Sequence, residues 1–317
     1  MNQQEKKKPL IKWQKPNVRV VYALMAPALV SIYFFGWRSL MILACVNLAG
    51  FLTEYIFLRA YYKEPVTSAI FVSSFLFTLA LPPTLPVWIA VIGIIFGVAI
   101  GKMAFGGFGR NIFNPALTGR AFIYISFGAQ MTAAWVNPFK GFPGGFGSFA
   151  ADTVTKATPM MSMVRDIGVS KLSLFFGNIS GCLGETSAVL ILIGGIYIVW
   201  KKYANYRIVL SGTIGMLLVQ TVLWLSGIKG AIDPLSALLG GGFLLGILFM
   251  ATDPVTASQT NTGRWIYGGL VGIVSSIIRV FAIWSEGVMF AILLGNMFAP
   301  IVDYYIKQAK KSKGAKK

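Results

Sequence analysis

The 317-residue sequence contains no His, only two Cys and only ten Asp and Glu residues. The absence of His excludes His-ligated haem, most catalytic zinc sites and acid–base catalysis by imidazole. Cys45 and Cys182 lie far apart and form no Cys-x-x-Cys motif, so the sequence does not predict a self-contained iron–sulfur cluster. We interpret both as small apolar residues in or near helices. The alternative is a site that a partner protein completes.

Charged residues are scarce throughout the chain, whereas apolar residues are abundant. Hydrophobic residues make up 56% of the sequence and charged residues 12%, which is typical of a polytopic membrane protein. We therefore predict an all-α polytopic membrane protein with about ten transmembrane helices. Two inverted five-helix halves with broken helices are one arrangement that such a chain can take. The predicted spans are 20–37, 39–61, 67–81, 86–102, 118–135, 185–200, 206–226, 232–252, 265–282 and 286–306.

The net charge of +18 is concentrated near the two ends of the chain. Residues 1–19 and 307–317 form basic tails around a single transmembrane domain, 20–306. With an even number of spans, the positive-inside rule predicts that both termini are cytoplasmic and that loop 136–184 is extracytoplasmic. The tails are suited to contact the anionic lipid of a bilayer. Aromatic residues do not interleave with these basic residues, so nucleic acid is not an expected partner.

The loop 136–184 is the longest polar interval in the sequence. Its first part, 137–149, alternates Phe with Gly and Pro, and these residues oppose a regular helix. The Phe side chains either wall a planar ring system or anchor the loop at the lipid headgroups. Hydroxyl groups then follow closely, at Ser148, Thr153, Thr155, Thr158 and Ser162. In a chain that is otherwise nearly all membrane helix, this loop is the place to hold a bulky polar group.

Five acidic residues lie within or at the ends of predicted spans: Glu54, Glu185, Asp253, Glu286 and Asp303. Ionisable groups at membrane depth cost about 3 kcal/mol, so they normally pair or line a polar path. All but Glu54 are candidates for an ion path, and Asp303 is the strongest because its span offers no nearby basic partner. The structural alternatives are that Glu54 pairs with Arg59 and that Asp253 caps a helix beginning at Pro254.

Two predicted cytoplasmic loops have a similar pattern. Residues 114–120 and 253–264 each place a short polar residue before Pro and then continue to Thr-Gly-Arg, which is a helix-start signal. Because both loops face the same side, they are not equivalent positions of an inverted repeat. The Gly-rich segment 101–110 also contains Lys102 and Arg110, so its backbone can approach a polar ligand beside cationic groups.

Several long motifs between residues 45 and 306 resemble the NqrB/RnfD family. NqrB is a membrane subunit of the sodium-translocating NADH:quinone oxidoreductase, and its close relative RnfD belongs to the Rnf complex. The motifs are Leu81-Pro82-Pro83-Thr84-Leu85-Pro86, Asn114-Pro115-Ala116-Leu117-Thr118, Gly184-Glu185-Thr186-Ser187, Met250-Ala251-Thr252-Asp253-Pro254-Val255-Thr256 and Asn296-Met297-Phe298-Ala299-Pro300.

The resemblance implies a covalent flavin. In that family an Asp-x-x-(Ser/Thr)-Gly-Ala-Thr motif receives FMN through a phosphoester bond to its last Thr. The matching residues here are Asp152, Thr155, Ala157 and Thr158. Thr158 is therefore the expected attachment residue. Lys156 stands where the family usually has Gly, and Met103 follows Lys102 where relatives have a polar or acidic residue. Since the chain has no His to activate the hydroxyl, a separate flavin transferase is expected.

By the same resemblance, the chain is a membrane electron-carrier subunit of an enzyme of the bacterial inner membrane. Electrons would arrive from a second flavoprotein subunit and pass through FMN, and then through riboflavin, toward a quinone. Their passage would be coupled to sodium transport. The chain has no nicotinamide-binding fingerprint, so it is not a complete enzyme alone. The alternatives are an Rnf-type subunit that exchanges electrons between ferredoxin and NAD, and a cofactor-free secondary transporter or channel.

Overall fold

The computed structural model describes residues 9–132, 135–151, 162–163, 169–185, 187–282 and 287–314. These residues are mostly helical. The described strands are two residues long, β1 (Ile11–Lys12) and β2 (Val66–Thr67), and they pair in parallel. This pairing ties the segment before the first helix to the turn between the second and third helices.

The helices follow the predicted apolar runs. The first half contains α1 (Lys15–Phe35), α2 (Arg38–Phe57), α3 (Ala69–Leu79), α4 (Val87–Ala99), α5 (Pro115–Ser126) and α6 (Gly128–Thr132). A short helix, α7 (Lys171–Phe176), precedes the second half. The second half contains α8 (Ala188–Trp200), α9 (Tyr206–Leu225), α10 (Pro234–Leu239), α11 (Phe243–Leu245), α12 (Asn261–Phe281) and α13 (Gly287–Gly314).

Six helical segments among the described residues are long and apolar enough to cross a membrane, so the chain is a multi-pass membrane protein. They are Lys15–Phe35, Arg38–Tyr62, Val87–Phe105, Tyr206–Leu225, Asn261–Phe281 and Gly287–Ser312. The other predicted spans form shorter or interrupted helices, and α3 and α8 have only 11 and 13 residues. The count of ten transmembrane helices therefore stays a prediction.

The predicted span 232–252 is a broken helix. Its first part, α10, ends at Gly240, and Gly241 and Gly242 follow with φ of +62° and +68°. This left-handed conformation ends a helix and suits Gly, which has no Cβ to clash. The chain then resumes as α11 and continues through a π-helical turn, Gly246–Met250. The break leaves carbonyl groups inside the bundle that need donors from elsewhere.

The two halves repeat the same packing order. In the first half α4 packs between α2 and α5, and in the second half α12 packs between α9 and α13. Glycines permit both close crossings, because a Cβ on Gly119 would overlap the backbone of α4 and one on Gly272 would overlap the backbone of α9. Small residues are the usual means of close helix contact in membranes. The halves meet through α1 with α8 and through α5 with α13.

Candidate functional site

The segments that flank the predicted flavin loop are fixed to one end of α1. The Trp37 and Arg38 amides donate to the carbonyls of Ser148 and Phe149 at 3.2 and 2.7 Å. A small hydrophobic cluster surrounds this junction, formed by Phe34, Phe35, Val136, Ala151 and Leu183. Since α1 begins on the side of the N-terminal tail and ends here, the loop leaves the bundle at the opposite end from that tail.

The motif residues themselves lie outside the described residues. These are Asp152, Thr155, Ala157 and Thr158, together with the neighbouring Lys156 and the ion-path candidate Glu286. The preceding aromatic segment is described. Phe146 packs against Trp37 and Tyr33, with ring centroids 6.3 and 5.9 Å apart, so it anchors the loop. Phe142 is 93% exposed and Phe149 58% exposed, so each leaves a ring face open to solvent.

A cavity of about 70 Å³ lies at the other end of α1. Its polar lining comes from several separate parts of the chain and consists of Asn17, Ser73, Lys102, Asn111, Asn114, Tyr203, Thr252 and Asp253. Lys102 and Phe108 of the Gly-rich segment both line it, whereas Arg110, the other cation of that segment, does not. The cavity combines amide, ammonium and carboxylate groups, so it can hold a polar ligand.

Lys102 forms a buried ion pair beside this cavity. Its Nζ lies 2.7 Å from Glu54 Oε2, and the two side chains are 2% and 1% exposed. The Thr67 hydroxyl donates to the other carboxylate oxygen at 3.1 Å. The expectation that Glu54 pairs with Arg59 is therefore wrong. Arg59 lies in the π-helical turn Leu58–Tyr62, where the regular helical spacing of side chains ends, and it is exposed.

The two loops with the similar sequence pattern meet at this end of the bundle. Asn114 caps α5 through its side chain, and its Nδ2 donates to Asp253 Oδ2 at 3.5 Å. The Asn114 amide donates to Asn296 Oδ1 at 3.3 Å, and Asn296 Nδ2 donates to the Tyr267 hydroxyl at 3.0 Å. Asn296 is fully buried, and sequence reasoning alone does not single it out as a site residue. The sequence feature that could have identified Asn296 is its polar amide side chain within an otherwise apolar predicted span.

Asp253 caps a turn and not a helix. Its Oδ1 accepts from the Val255 amide at 2.9 Å, but α12 begins only at Asn261, where Thr260 is the capping residue. The prediction that a helix begins at Pro254 is therefore wrong, because the Asp-Pro pair here starts an isolated turn. Asp253 lines the cavity at the N-terminal end of α1.

Asp303 holds the loop that precedes α12. Its Oδ1 accepts from the hydroxyls of Ser258 and Thr260, each at 2.6 Å, and from the Thr260 amide at 3.0 Å. Its Oδ2 accepts from the Gln259 amide at 2.6 Å. Four donors thus converge on one carboxylate, which fixes this loop against α13.

Glu185 lies nearer the end of the bundle where the segments that flank the loop are anchored. Two buried arginines, Arg120 and Arg279, interact electrostatically with its carboxyl group. Arg120 Nε donates to the Ala80 carbonyl at 2.6 Å, where α3 ends, and Arg279 Nη1 donates to the Ala237 carbonyl at 2.6 Å in α10. Each arginine therefore satisfies carbonyls at a helix interrupted inside the bundle. Glu185 lies close enough to both guanidinium groups to interact with them electrostatically.

Comparison with known proteins gives the family of the chain. Three similar proteins are each named as the B subunit of Na(+)-translocating NADH-quinone reductase. The protein from Yersinia pestis is 41% identical over 86% of this chain and 70% of its own length. The one from Ectopseudomonas mendocina is 43% identical over 78% and 62%, and the one from Klebsiella pneumoniae strain 342 is 40% identical over 88% and 72%. The chain thus spans about two thirds of the length of these relatives. The model of the NQR2, RnfD, RnfE family matches residues 8–312, and the chain belongs to that family.

Proposed function

We propose that this chain is the membrane electron-carrier subunit of a sodium-translocating NADH:quinone reductase. Its flavin would be FMN attached through a phosphoester bond to Thr158. The observation that carries this proposal is the identity of about 40% to relatives named as the B subunit of that enzyme, over most of the chain. Its partners would be the other subunits, including a second flavoprotein, and a flavin transferase that loads the Thr.

The surroundings of the loop support a tethered flavin there. The loop is anchored on both sides, since Leu183 and Gly184 donate to the carbonyls of Leu81 and Leu79 at 3.0 and 2.7 Å. The exposed rings of Phe142 and Phe149 offer flat apolar surfaces to a planar ligand. When bound, FMN would supply one- and two-electron transfer. The chain itself supplies a hydroxyl for attachment, an anchored loop and aromatic walls.

The repeated packing order supports two inverted five-helix halves. In such folds, polar sites lie where broken helices meet near the repeat interface. The interrupted α10–α11 segment and the helix end at Ala80, each held by a buried arginine, fit that arrangement. We place both termini and the cavity beside Lys102 on the cytoplasmic side of the bacterial inner membrane, by the positive-inside rule.

Among the described ion-path candidates, Asp253 is the best placed. It lines the cavity at the N-terminal end of α1, whereas Asp303 does not line that cavity and its carboxylate accepts from four loop donors. Glu185 lies toward the opposite end of the bundle, where it interacts electrostatically with two buried arginines. Sodium transport coupled to electron passage toward quinone, with riboflavin as a second carrier, completes the proposal.

The first experiment is Thr158→Ala, expressed with the transferase and the partner subunits. Covalent flavin is measured by ultraviolet fluorescence of the band on a denaturing gel and by mass spectrometry of the loop peptide. Loss of flavin in Thr158→Ala, with retention in the matched variant Thr153→Ala, is the expected result. Flavin retained in Thr158→Ala would move the attachment to another hydroxyl. A dark wild-type band would favour the cofactor-free transporter, and quinone-dependent turnover of the complex distinguishes the quinone reductase from an Rnf-type subunit.

A further inference from the structure

A second cavity, of about 390 Å³, opens where α8 ends and α9 begins. This volume lies within the range of ligand-binding pockets, roughly 300–1,000 Å³. Lys202, Arg207 and Arg264 line it, and Asp253 is the one acidic residue in its lining. Because cations outnumber carboxylates, the cavity is suited to an anion.

Two of the three cations contact other groups of the protein. Arg264 Nε donates to the Ser258 carbonyl at 3.2 Å, and its Nη1 donates to Asn261 Oδ1 at 3.3 Å. The Arg207 guanidinium lies 4.7 Å from the centre of the Tyr206 ring. Asp253 partly offsets their charge, but its oxygens already accept from Val255 and Asn114.

Lys202 has an unfavourable backbone conformation for its residue type. Its φ is +61°, and Lys63 at +50° is the other non-Gly residue with positive φ among the described residues. Gly is the preferred residue in this conformation just after a helix. Both lysines follow helix C-termini, where a cation is favourable in itself. Only Lys202 lines the cavity. A comparison of variants at Lys202 and Lys63 therefore distinguishes ligand binding from the effect of a cation at a helix C-terminus.

Aromatic residues place this cavity at the level of the lipid headgroups. Tyr206 lines the cavity, and Trp200 and Trp265 directly follow the lining residues Val199 and Arg264 in the chain. The three side chains are 47%, 73% and 42% exposed, respectively. Exposed Trp and Tyr at the ends of membrane helices mark the interface between lipid and water. The cavity is on the same end of the bundle as the one beside Lys102, with which it shares Tyr203, Ala204, Thr252, Asp253 and Pro254.

We propose that the cavity lined by Lys202, Arg207 and Arg264 binds the phosphate group of an anionic phospholipid from the leaflet on the side of the N-terminal tail. The guanidinium groups offer planar, charge-assisted donors that match phosphate oxygens. Lys202 adds a compact positive charge. The site is independent of the flavin loop, which lies at the other end of α1.

The test uses the full-length chain in detergent, with phosphatidylglycerol or phosphatidylcholine added and the bound lipids counted by native mass spectrometry. Wild type is expected to bind the first phosphatidylglycerol more tightly than phosphatidylcholine. Lys202→Gly should weaken that first binding about fivefold, as expected for one basic residue near anionic lipid. Because Gly suits a positive φ, this variant should unfold no more readily than wild type. Lys63→Gly, which relieves the same backbone conformation, should leave the binding unchanged.

A second comparison controls for charge alone. The pair Lys202→Gln/Arg207→Gln should lose phosphatidylglycerol binding, whereas Lys307→Gln/Lys310→Gln, with the same change in net charge, should retain it. Equal losses in the cavity and tail pairs, or equal affinity of wild type for both lipids, would overturn the proposal. Competition by millimolar inorganic phosphate, with the same dependence on Lys202, would uphold the phosphate chemistry and assign the ligand to a soluble source.

Discussion

Glu54 and Lys102 are 48 residues apart in sequence, and their charged atoms lie 2.7 Å apart with both side chains almost completely buried. The pair links α2 to the segment after α4 and closes one side of the cavity at the N-terminal end of α1. A buried pair of this kind does not by itself guarantee extra stability, because both charges have been removed from water. Removal of only one partner is destabilising, because it leaves the other charge buried and unpaired.

We predict that Lys102→Met lowers the free energy of unfolding by about 3–5 kcal/mol, because it leaves the Glu54 carboxylate buried without a counter-ion. The double variant Glu54→Gln/Lys102→Met should lose less than the sum of the two single changes. Thermal unfolding of the full-length chain in detergent measures both. Arg59→Met is the control and should change stability by less than about 0.5 kcal/mol. A Lys102→Met variant as stable as Arg59→Met would contradict the pairing.

Asp303 is predicted to act mainly as a loop anchor. Asp303→Ala removes the acceptor of the Gln259 and Thr260 amides, so both should exchange hydrogen with solvent faster, and stability should fall by about 2–3 kcal/mol. Asp303→Asn keeps acceptor capacity and should give a smaller change in both measurements. Hydrogen exchange followed by mass spectrometry reads these amides directly. A different outcome is that Asp303→Ala alters sodium-dependent activity while the Gln259 and Thr260 amides stay fully protected from hydrogen exchange. That outcome would support the ion-path interpretation and contradict the role as a loop anchor.

Gly242 is predicted to tolerate a side chain poorly. Its φ is +68°, and an added Cβ would overlap Glu185 Oε1. Gly109 provides the matched control, since its φ is +86° but nothing lies within 4 Å of its ideal Cβ position. Gly109→Ala should cost about 1–2 kcal/mol through backbone conformation alone, and Gly242→Ala clearly more. Adding Glu185→Ala to Gly242→Ala relieves the overlap. It also removes a carboxyl group that interacts electrostatically with two arginines, so the comparison requires Glu185→Ala alone. Additive losses would show that the overlap is unimportant.

The orientation of the chain can be tested with engineered cysteines. Cys45 and Cys182 are the only native cysteines, so replacing both with Ala gives a Cys-free background. In that background, Lys140→Cys in the loop that leads to the motif should react with a membrane-impermeant maleimide outside intact cells. Asn261→Cys, at the start of α12, should react only after the membrane is permeabilised. Both native residues are exposed, and the reverse labelling pattern would invert the proposed topology.

The helices could largely be located from the sequence, because long apolar runs in a chain this poor in charge favour helices that satisfy their own backbone groups within lipid. Their ends were less predictable. The helix α1 begins at Lys15 and not near Val20, since basic residues can extend a helix beyond the apolar layer. The interruption at Gly240 was visible only as a Gly-rich patch. Whether such a patch packs two helices or breaks one depends on neighbours far away in sequence.

The side-chain partners were the least predictable feature. Local spacing suggested Arg59 for Glu54, because helical neighbours are the only partners a sequence pattern displays. The true partner comes from a segment that follows another helix. The same limit applies to Asp303, which has no basic partner within its own span and is held by backbone amides of a distant loop.

The 21-residue length of α1 separates the anchored loop from the cavity beside Lys102 by about 30 Å. That distance is the thickness of the hydrocarbon layer. Any net charge carried from one end to the other therefore works with or against the voltage across the membrane, at about 2.3 kcal/mol per elementary charge for each 100 mV. Net movement of charge between the two ends would be electrogenic. Its rate would respond to ionophores that collapse that voltage.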